Sequence, residues 1–307
     1  MSFLGTIKKR LNREVYYIGF LRDKDITLPK KERYQKVAWL ALNGYKGGWF
    51  ADPFFLSMEN NHIQLLVEEM VYSTGRGILT HLDIAVQDEK YILKTHTPIL
   101  SLTTHLSFPI IWRENEKVYV YPENWQGGAL RIYEYDAQNK KLVNPIVLIE
   151  DPLVDSQIFK DNGKYYVVGS VKGDGASSEY LKCANVYVSD NLFGPYNHIC
   201  TLTSDRKIER GAGEIYREGT DWIRPVQKCD KAYGEAVILN KLYFDGNVLE
   251  EKEIAVIEPD ENMRKGKCLH TINEMNGLYV IDGRDYENPR LMGCIHGLRW
   301  LLSFKKK

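Results

Sequence analysis

A chain of 307 residues with 44% hydrophobic and 27% charged side chains has an ordinary globular composition, long enough for one large domain or two average ones. Lys+Arg and Asp+Glu both number 41, so no global field argues for a nucleic-acid partner, and five scattered Cys (183, 200, 229, 268 and 294) form no CxxC pair that would signal a zinc site or a disulfide framework. No apolar run approaches the ~18–20 residues that span a bilayer. Met1–Gly5 runs straight into Lys8, Lys9 and Arg10 with no apolar signal core after them, so a reducing cytoplasm is the expected compartment.

Residues 1–14 read as an extension. Within it, residues 1–12 fit a short helix with Phe3, Leu4, Ile7 and Leu11 on one side. That helix is either a docking segment or, helped by its three basic residues, a weak anchor at the inner face of a membrane. Val15–Phe20 and Val37–Leu42 read as strands, separated by a charged, Pro-containing connection. From Trp49 onward strands come in packets of three: 54–58, 63–68 and 79–85; 108–113, 118–122 and 129–135; 156–160, 165–169 and 184–189; 214–218, 222–227 and 236–244; 271–274, 277–282 and 298–304. Glu59-Asn60-Asn61, Glu114-Asn115-Glu116, Asp161-Asn162-Gly163, Glu218-Gly219-Thr220 and Asn276-Gly277 mark a tight turn in each packet.

The opening strands share a theme, an apolar run with a polar residue near its start. Trp49-Phe50-Ala51-Asp52-Pro53-Phe54-Phe55 is the clearest, and a carboxylate buried in such a run needs hydrogen bonds or a function. With Asp52, Ser107, Asp155, Glu214 and His270 as markers, the steps are 55, 48, 59 and 56 residues. A period near fifty marks a repeat architecture of blade length. The expected fold is therefore all-β, a five-bladed β-propeller forming a single domain over residues 1–307, its ring closed by Val37–Leu42 or by the C-terminal strand. The first strand of each blade lines the central channel, so the five marker residues should meet at one mouth.

Each candidate has a functional and a structural reading. Asp52 is a catalytic carboxylate or an Asx-turn before Pro53. Asp155 is a second carboxylate or a turn residue, Glu123 a third or a solvated strand end, and Glu214 an acid in the fourth blade. Arg210 and Arg224 adjoin fourth-blade strands, where a guanidinium forks onto a phosphate or ties blades together by a salt bridge. Gln227, His105 and His270 orient sugar hydroxyls or satisfy groups inside the ring. Trp49, Tyr121, Trp125 and Tyr233 stack on sugar faces or pack between blades. No compact oxygen cluster signals a metal, and no GxGxxG or P-loop motif signals a cofactor, so neither is expected.

The packets resemble the five-bladed arabinanase, levansucrase and invertase superfamily. There Ala51-Asp52-Pro53-Phe54 looks like the first-blade base or nucleophile motif, and Asp155 in Val-Asp-Ser-Gln-Ile-Phe looks like the blade-three aspartate that steadies the transition state. Glu214 holds only the acid's approximate place, since Arg210-Gly211-Ala212-Gly213-Glu214-Ile215 departs from the hydrolase pattern. The hydrolase members sometimes hold a structural calcium in the channel. A closer resemblance is to the N-terminal propeller of the plant glucosamine inositolphosphorylceramide transferases and its bacterial stand-alone relatives. It is carried by His105-Leu106-Ser107-Phe108-Pro109, Tyr121-Pro122-Glu123-Asn124, Arg210-Gly211-Ala212-Gly213, Arg224-Pro225-Val226-Gln227 with Tyr233-Gly234, and His270-Thr271-Ile272 leading to Val280-Ile281-Asp282-Gly283.

The resemblance implies a carbohydrate-active enzyme. The first expectation is a cytoplasmic glycosyltransferase in surface-polysaccharide or glycolipid synthesis. It would take a nucleotide sugar or phosphosugar as donor and a glycan as acceptor. Asp52 would be base or stabiliser, Asp155, Glu214 and Glu123 its partners, and Arg210 and Arg224 the phosphate clamps. The alternatives are a glycoside hydrolase or phosphorylase, and a non-catalytic glycan-binding propeller that assists a partner transferase.

Overall fold

The computed structural model describes residues 13–171, 183–203, 210–230, 232–244 and 249–287. The chain enters with β1 (Arg13–Arg22), two short helices, α1 (Asp23–Ile26) and α2 (Lys30–Lys36), and the two-residue β2 (Ala38–Trp39). Blade one is β3 (Gly48–Glu59), β4 (His62–Val71), β5 (Arg76–Gln87) and β6 (Lys90–Leu100). Blade two is β7 (Ser107–Glu114), β8 (Lys117–Glu123), β9 (Leu130–Asp136) and β10 (Lys141–Ile149). Blade three is β11 (Leu153–Asp161), β12 (Lys164–Val171), β13 (Cys183–Ser189) and β14 (Asn197–Thr203). Blade four is β15 (Tyr216–Glu218), β16 (Asp221–Lys228), β17 (Ala236–Phe244) and β18 (Leu249–Ile257). Blade five begins with β19 (Ile272–Met275) and β20 (Leu278–Glu287) and is completed from the other end of the chain, in the order β19-β20-β1-β2.

The expected five-bladed all-β propeller is what forms. The ring is closed chiefly by β1, which pairs antiparallel with β20 from Arg13↔Glu287 to Arg22↔Leu278. β2 adds only a two-residue edge within the segment read as Val37–Leu42. The strand read at 298–304 and the helix read at 1–12 lie outside the described residues. The tight turns hold: Glu59↔His62, Glu114↔Lys117, Asp161↔Lys164, Glu218↔Asp221 and Met275↔Leu278 each close a two-residue hairpin. Asn162-Gly163 (φ 46° and 80°) and Asn276-Gly277 (51° and 79°) supply the left-handed pair that such hairpins demand.

Each blade has four strands where the sequence pattern predicts packets of three. The outer strands are covered on one side only, and in β6 the burial runs irregularly through Lys94-Thr95-His96-Thr97, so no clean alternation marks them. Apolar clusters fill the spaces between neighbouring sheets. Phe54, Leu66 and Leu79 meet Leu106, Phe108 and Val120 between blades one and two, with the Phe54 and Phe108 rings edge to face at 5.1 Å. Phe20 and Val280 meet Leu65 and Leu82 between blades five and one.

One polar pin lies at the interface of blades one and two. The Tyr135 hydroxyl contacts His81 Nδ1 at 3.1 Å, and Asp83 holds Lys140 at 2.6 Å. Burial first, then the Lys140 charge, push His81 down to about 4. A depressed histidine stabilises the fold fully above its unfolded value of about 6.5 and loses that contribution as pH falls toward 4, a term of about 3 kcal/mol. Urea unfolding of His81→Asn should therefore show a smaller loss of stability between pH 7.5 and 4.5 than the wild type.

Candidate active site

The opening strands of blades one, two and three all break register at the same level, between Ala51 and Phe54, Ser107 and Ile110, and Val154 and Gln157. The first residue of each break is left-handed: Asp52 (φ 48°), Phe108 (47°) and Asp155 (42°). For a Phe this is a true outlier, and strain of this kind persists where the surroundings over-determine it. The breaks turn the Asp52 and Phe108 amides and the Asp52 and Asp155 carboxylates toward neighbouring blades. The Asp52 amide donates to Asp282 Oδ2 at 3.2 Å, and the Phe108 amide donates to Asp52 Oδ2 at 3.1 Å. Phe108, not Ser107, is thus the blade-two counterpart of Asp52, while Ser107 donates its hydroxyl to Glu123 Oε2 at 2.7 Å.

Asp52 is buried, and Thr271 Oγ1 donates to its Oδ1 at 2.7 Å. Burial raises its carboxyl to about 7, against the pull of His270 and with help from the charges of Glu68, Asp282 and Asp155. Asp155 Oδ2 accepts from Arg210 Nε at 2.6 Å and from Gln227 Nε2 at 3.0 Å. Gln227 also donates to the Gly211 carbonyl, so its role is to fix Asp155. The Arg210 guanidinium lies over the Tyr233 ring at 5.2 Å, and its two terminal nitrogens have no hydrogen-bond partner among the described residues. Burial and the Asp155 charge raise Glu123, whose carboxylate accepts from Ser107 and the Trp125 amide.

His270 sits beside Asp52, its Nδ1 2.5 Å from Asp282 Oδ2 and 3.8 Å from Asp52 Oδ1. The imidazole stacks on Tyr16 at 5.0 Å and meets Tyr233 edge-on at 5.3 Å. Tyr16 in turn contacts Trp49 at 4.8 Å, so Trp49 and Tyr233 form half-buried aromatic walls. His105 accepts the Gly77 amide on Nδ1 at 3.0 Å, which places its proton on Nε2, 3.3 Å from Glu68 Oε1.

Asp52, Glu123, Asp155, His105, Arg210, Gln227, His270, Trp49 and Tyr233 therefore belong to one connected cluster of polar and aromatic side chains. Two expected members do not. Arg224 is wholly buried between Gln157, at 2.7 Å from its Nε, and Glu251; it ties strands together and is out of a ligand's reach. Glu214 turns to a deeper level of the channel. Its amide donates to Asn273, and its carboxyl is raised to about 7 by burial, with Arg113 as the opposing charge. Arg113 is anchored on the Phe55 and Leu56 carbonyls, further down β3 than Asp52.

Steric crowding explains why blade four offers no carboxylate at the level of Asp52 and Asp155. A Cβ on Gly211 would lie 2.5 Å from the Asp155 carbonyl oxygen, and one on Gly213 would lie 2.0 Å from that of Ile272.

Sequence reasoning missed Glu68, Thr271, Tyr16 and Asp282. Glu68 and Asp282 carry a signal close to that used for Asp52, an acid adjoining an apolar run (Leu65-Leu66-Val67, Val280-Ile281). Asp52, His270 and Asp282 also place possible metal-ligand atoms within 4.8 Å of one another. They do not fit a cation. The Nδ1–Oδ2 separation is that of a shared proton, and Asp282 already accepts the amides of Asp52, His270 and Thr271.

Residues 18–280 match the family described as "Glucosamine inositolphosphorylceramide transferase 1, N-terminal". The glucosamine inositolphosphorylceramide transferase 1 of Arabidopsis thaliana is 26% identical over 271 residues, covering 84% of this chain and 33% of the relative. That of Oryza sativa subsp. japonica is 27% identical over 246 residues, covering 76% and 31%. The chain thus spans about a third of the length of these curated relatives. Among solved structures, the exo-β-1,3-galactanase of Phanerochaete chrysosporium aligns with TM-score 0.55 at 13% identity, over 72% of this chain and 54% of that one, a likeness of fold alone.

Proposed function

The chain belongs to the glucosamine inositolphosphorylceramide transferase 1 N-terminal family, and from that premise we propose that it transfers a sugar from a phosphate-linked donor to a glycan or glycolipid acceptor at the channel mouth. The observation that carries this reading is Arg210. Its guanidinium is pinned through Nε to Asp155, which leaves the two terminal nitrogens of a planar fork without a hydrogen-bond partner among the described residues. Such a fork matches a phosphate in two parallel hydrogen bonds. Beside it, Asp52 titrates near neutrality and takes the proton of the attacking hydroxyl. Tyr233 and Trp49 provide apolar faces for the sugar ring. The crowding at Gly211 and Gly213 argues against the hydrolase arrangement, in which a fourth-blade carboxylate stands opposite the base. The setting that suits a lipid-linked acceptor is the cytoplasmic face of a membrane.

The test is incubation of the purified chain with nucleotide sugars and sugar 1-phosphates, together with inositol phospholipid and oligosaccharide acceptors, read by mass spectrometry. The expected product is an acceptor heavier by one sugar. Free sugar released from glycosides with no phosphate donor present would favour hydrolysis. A second reading is a glycan-binding propeller that serves a partner transferase, the aromatic faces of Tyr233 and Trp49 holding a sugar that is not turned over. It predicts binding without turnover.

A further inference from the structure

Departure of a sugar's leaving group needs a proton wherever that group is a poor anion. Cleaving the anomeric C–O bond of a sugar 1-phosphate dianion would expel a phosphate trianion unless the bridging oxygen is protonated as the bond breaks. A nucleotide diphosphate leaves without such help. Arg210 is a cation that does not release its proton at working pH. Both Glu123 oxygens already accept hydrogen bonds, Glu214 faces Arg113 at a deeper level, and the His105 Nε2 proton is engaged by Glu68 Oε1 at 3.3 Å.

One group remains. His270 is 4% exposed, and its Nδ1 is engaged by Asp282 at 2.5 Å. Its Nε2 has no hydrogen-bond partner among the described residues, although the ring is fixed by Tyr16 and Tyr233. A largely buried imidazole held in one orientation, with one nitrogen that meets no protein partner among the described residues, is placed to meet a ligand. We infer that His270, oriented by Asp282, is the proton donor of this site, and that its donor substrate is accordingly a sugar 1-phosphate. This rests on the transfer reading above.

In the step, the anomeric C–O bond to phosphate breaks and its electron pair stays on the bridging oxygen. That oxygen takes the Nε2 proton and departs as hydrogenphosphate on the Arg210 fork. The acceptor hydroxyl forms the new C–O bond and gives its proton to Asp52. Solvent returns that proton to Nε2, so the site is reset with no redox change. Burial alone would depress the imidazole; the charges of Asp282 and then Asp52 outweigh it, with Arg210 opposing, and raise it to about 9. The other ionisable groups facing it are Tyr16 from β1 and Tyr233 from the blade-four loop.

The test compares wild type and His270→Gln on hexose and pentose 1-phosphates and on the matching 2,4-dinitrophenyl glycosides, whose leaving group departs unprotonated. Released phosphate or dinitrophenolate is read in the presence of the acceptor mixture. The expected result is a loss of about 10²–10⁴-fold on the phosphates, the range of general-acid catalysis, and under 10-fold on the dinitrophenyl donors. The wild-type alkaline limb near pH 9 should vanish in the variant. Equal losses on both donor classes, or a persisting alkaline limb, would overturn the assignment. If the variant does not fold, the wild type still decides by whether that limb is present on phosphate donors and absent on dinitrophenyl donors. A wild type that uses nucleotide sugars alone refutes the donor class but leaves the transfer reading intact. One that moves sugar from no donor refutes both.

Discussion

Asp52→Asn should lower glycosyl transfer by about 10²–10⁴-fold while leaving donor affinity within a few-fold, because the amide cannot take a proton yet fills the same space. The polypeptide over-determines this position: a left-handed residue at a register break, its amide on Asp282, its carboxylate on the Phe108 amide and the Thr271 hydroxyl. The pH profile gives the sharper readout. Asp52 must be ionised to act as base, and burial places that transition at about 7. His270 must stay protonated, which holds up to about 9. Wild-type kcat/KM should therefore rise through pH 7, crest near 8 and fall through 9, and Asp52→Asn should lose the acid limb. Stability should move the other way. A carboxyl raised above its unfolded value of 3.8 costs native stability as pH climbs from there to about 7, so the Asn variant should melt higher than wild type at pH 8. Initial rates across pH and a calorimetric melt check both limbs.

The second large effect is expected at Asp155. Asp155→Ala leaves Arg210 in its enclosed position with its Nε partner gone. Removing one member of a buried pair costs about 3–5 kcal/mol, because the other charge is then uncompensated. Arg210→Gln should cost less, since Asp155 still accepts from Gln227. Combining the two changes should recover part of the alanine penalty, a coupling that chemical denaturation of the single and double variants measures directly. Sugar 1-phosphate binding should be lost in Arg210→Gln and in the double variant alike. In Asp155→Ala it should weaken, because the fork is present but no longer held.

The repeat was legible because the inner strands of blades one to three carry apolar runs and every inner strand ends at an Asn-Gly or equivalent turn, which local chemistry dictates. The outer strands were not, since β6, β10, β14 and β18 each leave one flank open and admit polar or charged residues without rhythm. Asp52 and Asp155 were legible as acids inside apolar runs. Arg224 misled for the opposite reason: an arginine beside a strand start looks like a ligand clamp, and only its partner Glu251, on another strand of the same blade, shows that it is a tie. Glu214 misled because its sequence step matched the period, whereas the crowded Gly211-Ala212-Gly213 shifts the fourth strand and turns the carboxyl toward Arg113. Asp282 went unread as a site residue because it works through His270 and three amides, contacts that link the blade closing the ring to the blade that opens it.

The most direct measurement is a crystal structure of the chain soaked with a sugar 1-phosphate and its acceptor analogue. Phosphate oxygens should lie on the terminal nitrogens of Arg210, the bridging oxygen within hydrogen-bond reach of His270 Nε2, and the acceptor hydroxyl against Asp52. A sugar seated elsewhere on the propeller, or an Arg210 fork turned away from the bound phosphate, would contradict this arrangement.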